Sequence, residues 1–339
     1  MILVRSVLLS VCVWLLTLGS AQAVVVDDLY EVGVVVPDRT PAARMDALPL
    51  AMQQVIGRVS GKVIDPGFSA DEISRVYLEG FGYQSLDDGE QGLELNARFR
   101  RTQINEWLAS QQLPVWGDHR PQVLVWLGVV TDSGRIALDE VSAAEHHADD
   151  AFESYGLPVV FPVGDLEDSL ALPVGRLFGM FRSDIKTASE RYDTPAVVAA
   201  RVMPFADYWR VDGYLTYGND SVSISERAET PEQSADVLAA AVAAYFSGRF
   251  GVVANLDAVP GDAQTMSVAG VADYSDYQQL LRLVGSVSGV SDVTVTAVQD
   301  DVLTLAVSLK ADWQQVLANI VLDRRIRKDA DTGELIWNP

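Results

Sequence analysis

Hydrophobic positions along the chain follow two periods, and their alternation predicts the order of elements. Tyr30 to Val36 is a β-branched run ending at Pro37, which predicts a strand. Thr40 followed by Pro41 is a helix start, and Met45, Leu48, Met52, Val55, Ile56 and Val59 continue at helical spacing to a stop at Ser60-Gly61. Pro49 lies inside that helix and predicts a kink or a break. Ser69 with Glu72 three residues on announces a second helix. Leu93 to Phe99 alternates as a strand, and Ile104, Trp107 and Leu108 mark a short helix. These elements predict a small α+β domain over 24–116.

Val123 to Val130 is continuously apolar, which suits a strand buried on both faces. One helix is expected through Val141, Ala144, Ala148, Phe152 and Tyr155, then a strand over 158–161, helical stretches to about Tyr192, and a strand over 196–202. Tyr208 to Tyr217 and Ser221 to Glu226 form a hairpin, and Thr230-Pro231-Glu232-Gln233 opens a long helix closing at Ser247-Gly248. Strands separated by helices imply a central three-layer α/β domain with a mixed sheet over 117–258. The order βαββα(β) over 259–339, with a last strand at Leu335 to Trp337, implies a ferredoxin-like module. The fold class is therefore a multidomain combination of α/β and α+β units.

The first 23 residues stand outside this pattern. Arg5, the apolar stretch Ser6 to Leu18 and the small-x-small triplet Ala21-Gln22-Ala23 form a cleavable secretory signal peptide. The stretch is shorter than the ~20 apolar residues that a bilayer needs. A periplasmic location is thus expected, with no membrane span after cleavage. Cys12, within this leader, is the one cysteine, so the mature chain is expected to hold no disulfide, thiolate metal site or cysteine nucleophile. A net charge of −22 disfavours nucleic acid and anionic lipid surfaces as partners. Two basic runs, Arg98 to Arg101 and Arg324 to Lys328, read most simply as solvated faces.

Several stretches occur in a familiar order: Leu113-Pro114-Val115-Trp116, Arg120 to Trp126, Gly156-Leu157-Pro158 with Asp165-Leu166-Glu167-Asp168, and Ala188 to Tyr192. In these the chain resembles domain of unknown function 2066, a family of exported proteins of Gram-negative bacteria. The resemblance implies a compartment and an architecture, and no catalytic residues.

Candidate chemistry is sparse. Asp165, Glu167 and Asp168 follow a strand end, where α/β sheets bind ligands, so together with Arg120 they are the candidate ligand-binding residues. A helix N-terminus accounts for the three acids as well. His119, His146 and His147 are the histidines; His146 and Asp150 are one helical turn apart but lack a third ligand. Asp329 to Glu334 departs from a calcium loop in its acids and glycine, and a tight turn explains it better. Trp107, Trp126 and Trp313 occupy core positions, whereas Trp116 and Trp209 lie near segment ends. Neither a metal nor a cofactor is implied. The expectation is a non-enzymatic accessory or adaptor of the cell envelope that binds a protein or cell-wall partner. The alternatives are a carboxylate-dependent enzyme acting on glycans and a small-ligand binding protein.

Overall fold

The computed structural model describes residues 23–86, 92–145, 147–254, 263–329 and 332–338, so Cys12 and the leader up to Gln22 lie outside the described residues. The fold is mixed, with α+β and α/β units as the periodicities imply. In the first unit β1 (Ala23–Val25) and β2 (Glu31–Val36) precede α1 (Pro41–Ser60), α2 (Ala70–Glu72) and a π-helical turn (Ile73–Tyr77). Then come β3 (Leu78–Ser85), β4 (Leu93–Phe99) and α3 (Arg101–Ser110). An antiparallel sheet of order β2-β4-β3 packs its apolar face on α1. Pro49 does not break α1: it sits on the exposed face, away from the buried row Leu48, Met52, Val55 and Ile56. Gly61, at φ 70°, closes the helix in the left-handed conformation and donates its N–H to Gly57 O.

The central unit comprises β5 (His119–Pro121), β6 (Val123–Thr131), β7 (Gly134–Ala137), α4 (Glu140–Glu145), α5 (Ala148–Ser154) and β8 (Val159–Val160). It continues through α6 (Leu166–Ala171), α7 (Val174–Phe178), α8 (Arg182–Ser189) and a 3₁₀ turn (Glu190–Tyr192). It ends with β9 (Ala196–Phe205), β10 (Tyr208–Tyr217), β11 (Asp220–Ala228) and α9 (Gln233–Phe250). The sheet order is β11-β10-β9-β6-β7, with β8 also against β6. β6 runs parallel to β9 and β8, and the other pairs are antiparallel. Because strand side chains alternate, β6 divides its residues between two cores. Val123, Val125, Leu127 and Val129 face α5 and α9, and Leu124 and Trp126 face α7 and α8. The expected single helix through Val141 and Tyr155 is two, because His147 adopts φ 51° and ends the helical run.

The last unit holds β12 (Gln264–Ala269), α10 (Tyr274–Ser286), β13 (Val290–Gln299), β14 (Val302–Leu309), α11 (Trp313–Ile320), β15 (Ile326–Lys328) and β16 (Leu335–Trp337). Its sheet order is β13-β14-β12-β16-β15. The first three strands and two helices follow the ferredoxin-like plan. Beyond β12, β16 pairs parallel and β15 is carried to the edge.

The units meet at β5, which pairs antiparallel with β1. Arg120 is wholly buried, at 0% exposure, and forms no ion pair among the described residues. Its guanidinium donates to five carbonyls: Arg58 O at 2.7 Å, Trp116 O at 3.0 Å, Gly117 O at 2.9 Å, Tyr155 O at 2.7 Å and Gly156 O at 3.0 Å. It also stacks 3.9 Å from the Trp116 ring. Burial first, and the Arg58 guanidinium second, pull its pKa down to about 9, so it stays charged at neutral pH. Gly156 must be glycine here, since it holds φ 63° and a Cβ would lie 2.7 Å from Arg120 Nη1.

The neighbouring His119 ties in the third unit. Its Nδ1 bonds Asp118 and its Nε2 bonds Asp323, both at 2.9 Å. The Asp118 bond and then the Asp323 bond raise its pKa from an ordinary 6.5 to about 9. Burial acts to raise Asp323, but Arg325 and His119 hold it well below the usual carboxylate range. Asn319 Nδ2 adds a bond of 2.6 Å to Phe250 O, linking α11 to the end of α9.

Replacing Arg120 by alanine strands several buried carbonyls, so urea unfolding is expected to show a loss of about 3–5 kcal/mol, at about 1–3 kcal/mol for each acceptor left unsatisfied. Lysine, with three donors and no planar face, should recover only part of it. His119 has the opposite interest, because its contribution depends on pH. Its folded pKa lies above the unfolded value, so the stabilisation is complete below about pH 6.5 and lost as pH rises through about 9. Unfolding free energies from urea titrations between pH 6 and 10 should fall by a total of about 2–3 kcal/mol, and His119→Gln should flatten that slope.

Candidate functional site

The three acids predicted near a strand end do come together, around an arginine. Asp165 is the N-cap of α6, accepting from Asp168 N–H at 2.9 Å. Arg191 Nη1 lies 2.9 Å from both Asp165 Oδ1 and Asp168 Oδ1, and 3.8 Å from Glu167 Oε2. Asp168 is 3% exposed and also accepts from Tyr192 Oη at 2.6 Å and Gly164 N–H at 3.0 Å. The Arg191 bond, then the Asp168 N–H, bring the Asp165 pKa down to about 2. Burial and the Asp168 bond push the Tyr192 hydroxyl up to about 12. Each carboxylate is thus already partnered, and the group caps a short helix. Arg120, the fourth candidate, shares no partner with these acids and lies at the inter-unit junction.

The remaining sequence candidates are local features. His147 Nδ1 bonds Asp150 at 3.1 Å on the exposed surface, while His146 lies outside the described residues. Asp329 receives Thr332 N–H at 2.8 Å in a tight turn between β15 and β16. Among the described residues no group of three or more His, Cys, Asp or Glu side chains is placed to hold a metal ion. Trp116 and Trp126 are buried, and Trp107, Trp209 and Trp313 are partly buried against the cores. The first basic run is committed locally: Arg98 pairs with Glu31, Arg100 bonds Arg75 O and Val76 O, and Arg101 lies over the Tyr30 ring.

A cleft that no sequence motif announces lies between α8 with its following 3₁₀ turn and the β10–β11 hairpin. Its volume is about 440 Å³, within the ordinary range for small-ligand sites. Val197 is partly exposed in its apolar lining, with Tyr214 and Ile185 buried behind it. Arg182 lies 4.0 Å over the Tyr214 ring and donates to Ser221 Oγ at 2.7 Å. Lys186, one turn on, pairs with no carboxylate among the described residues. Glu190 and Asp193 line the cleft beyond the end of α8, and Asp193 holds φ 47°, in the left-handed region. Asp220, on the hairpin, is neutralised by Arg249 at 2.6 Å. Ser189 fixes the wall from behind by accepting from Trp126 Nε1 at 2.9 Å and donating to Ile185 O at 2.7 Å. A smaller cavity of about 160 Å³ lies between Leu127, Val129, Val202 and Ala235, with His147 and Glu232 also in its lining.

Fold and cleft together define a three-unit α+β protein with a ligand-sized groove on its central sheet. Residues 23–117 match the family model Domain of unknown function (DUF8605). No curated protein matches the chain, and no solved structure does. The match overturns the resemblance to domain of unknown function 2066, which is a different domain. The stretches that suggested it serve packing: Trp116 and Arg120 form the junction, and Asp165 and Asp168 cap a helix. Such roles recur in unrelated folds and do not diagnose a family. Among the described residues no helix is long and apolar enough to cross a membrane.

The acid cluster has a graded expectation. Asp168→Ala leaves Arg191, Tyr192 and Gly164 without their shared partner, and thermal unfolding should show the largest loss, about 2–3 kcal/mol. Asp165→Ala should lower the melting temperature less, through the lost cap, and Glu167→Ala should leave it unchanged. An equal effect of all three would contradict this assignment.

Proposed function

We propose that this chain is a binding protein of the bacterial envelope, an accessory or adaptor whose central cleft engages a protein or cell-wall partner. The observation that carries this reading is the cleft itself. It has an aromatic floor, side chains of both charge signs without ionic partners among the described residues, and a wall held by the Trp126–Ser189–Ile185 bonds. Preformed concave surfaces of this kind favour recognition, since little ordering is left to be done on binding. The carboxylates Asp165 and Asp168 are engaged by Arg191, so the reading as a glycan-cleaving acid pair draws no support from them.

The envelope address rests on Arg5, the apolar stretch to Leu18 and the Ala21-Gln22-Ala23 site. Cleavage after Ala23 leaves Val24 and Val25 to pair with Arg120 and His119. Intact mass of protein from its native host should give a chain beginning at Val24. With that protein as bait, a partner should be retained from envelope extract by the wild type and lost from Lys186→Glu, a change on an exposed side chain of the cleft. A retained leader, or capture indifferent to the cleft, would sink the proposal.

A further inference from the structure

The cleft's charges are arranged by sign, and this points to a kind of ligand. Arg182, Lys186 and Glu190 stand at i, i+4 and i+8 along α8 and its continuation, so they form one stripe. At 1.5 Å of rise per residue its ends are about 12 Å apart. Two cations occupy the first part, and Glu190 with Asp193 occupy the last. Between them the partly exposed Val197 presents apolar surface.

None of the four charged groups is in an ion pair among the described residues. That is unusual for the cations in a chain of net charge −22, where carboxylates are plentiful. Arg182 is nonetheless held in place by Ser221 and Tyr214, with Nε and Nη2 left unbonded among the described residues. An anion alone would be attracted at one end and repelled at the other. A neutral ligand would strip water from four charges and return nothing. A ligand with opposite charges about 10 Å apart satisfies both ends, and an extended tripeptide at roughly 3.3 Å per residue has that span.

Resting on the binding role above, we infer that the cleft takes a short zwitterionic peptide. Its carboxylate meets Arg182 and Lys186, its ammonium meets Glu190 and Asp193, and its middle side chain lies on Val197. The planar Arg182 fork suits a carboxylate, which accepts two parallel N–H bonds.

The test uses the peptide alanyl-valyl-alanine with free ends, N-acetylated, C-amidated and with both ends blocked, titrated calorimetrically into the full protein. The free peptide should bind best, and each block should weaken it by about tenfold, the scale of one charge-assisted contact. Arg182→Gln with Lys186→Gln should abolish the penalty for amidation and leave that for acetylation. Glu190→Gln with Asp193→Asn should do the reverse. These side chains are exposed, so folding should survive. Equal binding of free and doubly blocked peptides, or binding of none, overturns the inference. If the partner is still captured through the cleft in that case, the adaptor role stands without it. If instead the free peptide binds as expected and no partner is captured, the adaptor role fails and the peptide site remains.

Discussion

A guanidinium buried among carbonyl oxygens holds the architecture together. Arg120 takes acceptors from three separate stretches: the end of α1 at Arg58, the linker at Trp116 and Gly117, and the exit of α5 at Tyr155 and Gly156. A cation can be buried at such a place only if its donors are satisfied, and backbone carbonyls do so without adding an opposite charge. The arrangement fixes the approach of the first unit to the second, because main-chain acceptors cannot rotate away as side chains do. It also dictates Gly156 and the stacked Trp116.

The strand that carries Arg120 is three residues long, and successive side chains leave it in opposite directions. Arg120 therefore locks the first unit while His119, one residue earlier, bonds Asp323 of the third. One short strand thus serves two junctions. The first depends on a group charged throughout the physiological range, and the second on an imidazole whose proton is held by two carboxylates. The second junction loosens in alkaline solution as the imidazole loses its proton.

Away from these junctions, the turn from Ser189 to Thr194 serves two neighbouring regions. Arg191 and Tyr192 bind the Asp165–Asp168 cap, while Ser189, Glu190, Asp193 and Thr194 line the cleft. The cap therefore supports the cleft without entering it. The residues that looked most like a site in the sequence hold the turn, and those that form the groove are ordinary Arg, Lys, Tyr and Ser positions spread over α8, β10 and β11.

The sequence by itself determined the mixed α/β and α+β fold class, the longer helices and strands and the double-sided burial of β6, because periodicity records which side chains must leave water. It also determined the helix starts at Thr40 and Ser69, where capping is local chemistry between neighbours. Tertiary structure alone decided what periodicity does not encode. β3 gave no signal because most of its residues are exposed and glycines interrupt it. β1 and β5 were invisible because three-residue strands exist only through each other. The break at His147 depends on one positive φ. The role of Arg120 and the cleft around Tyr214 arise from backbone oxygens and side chains brought together from distant segments, a relation that no spacing along the chain contains.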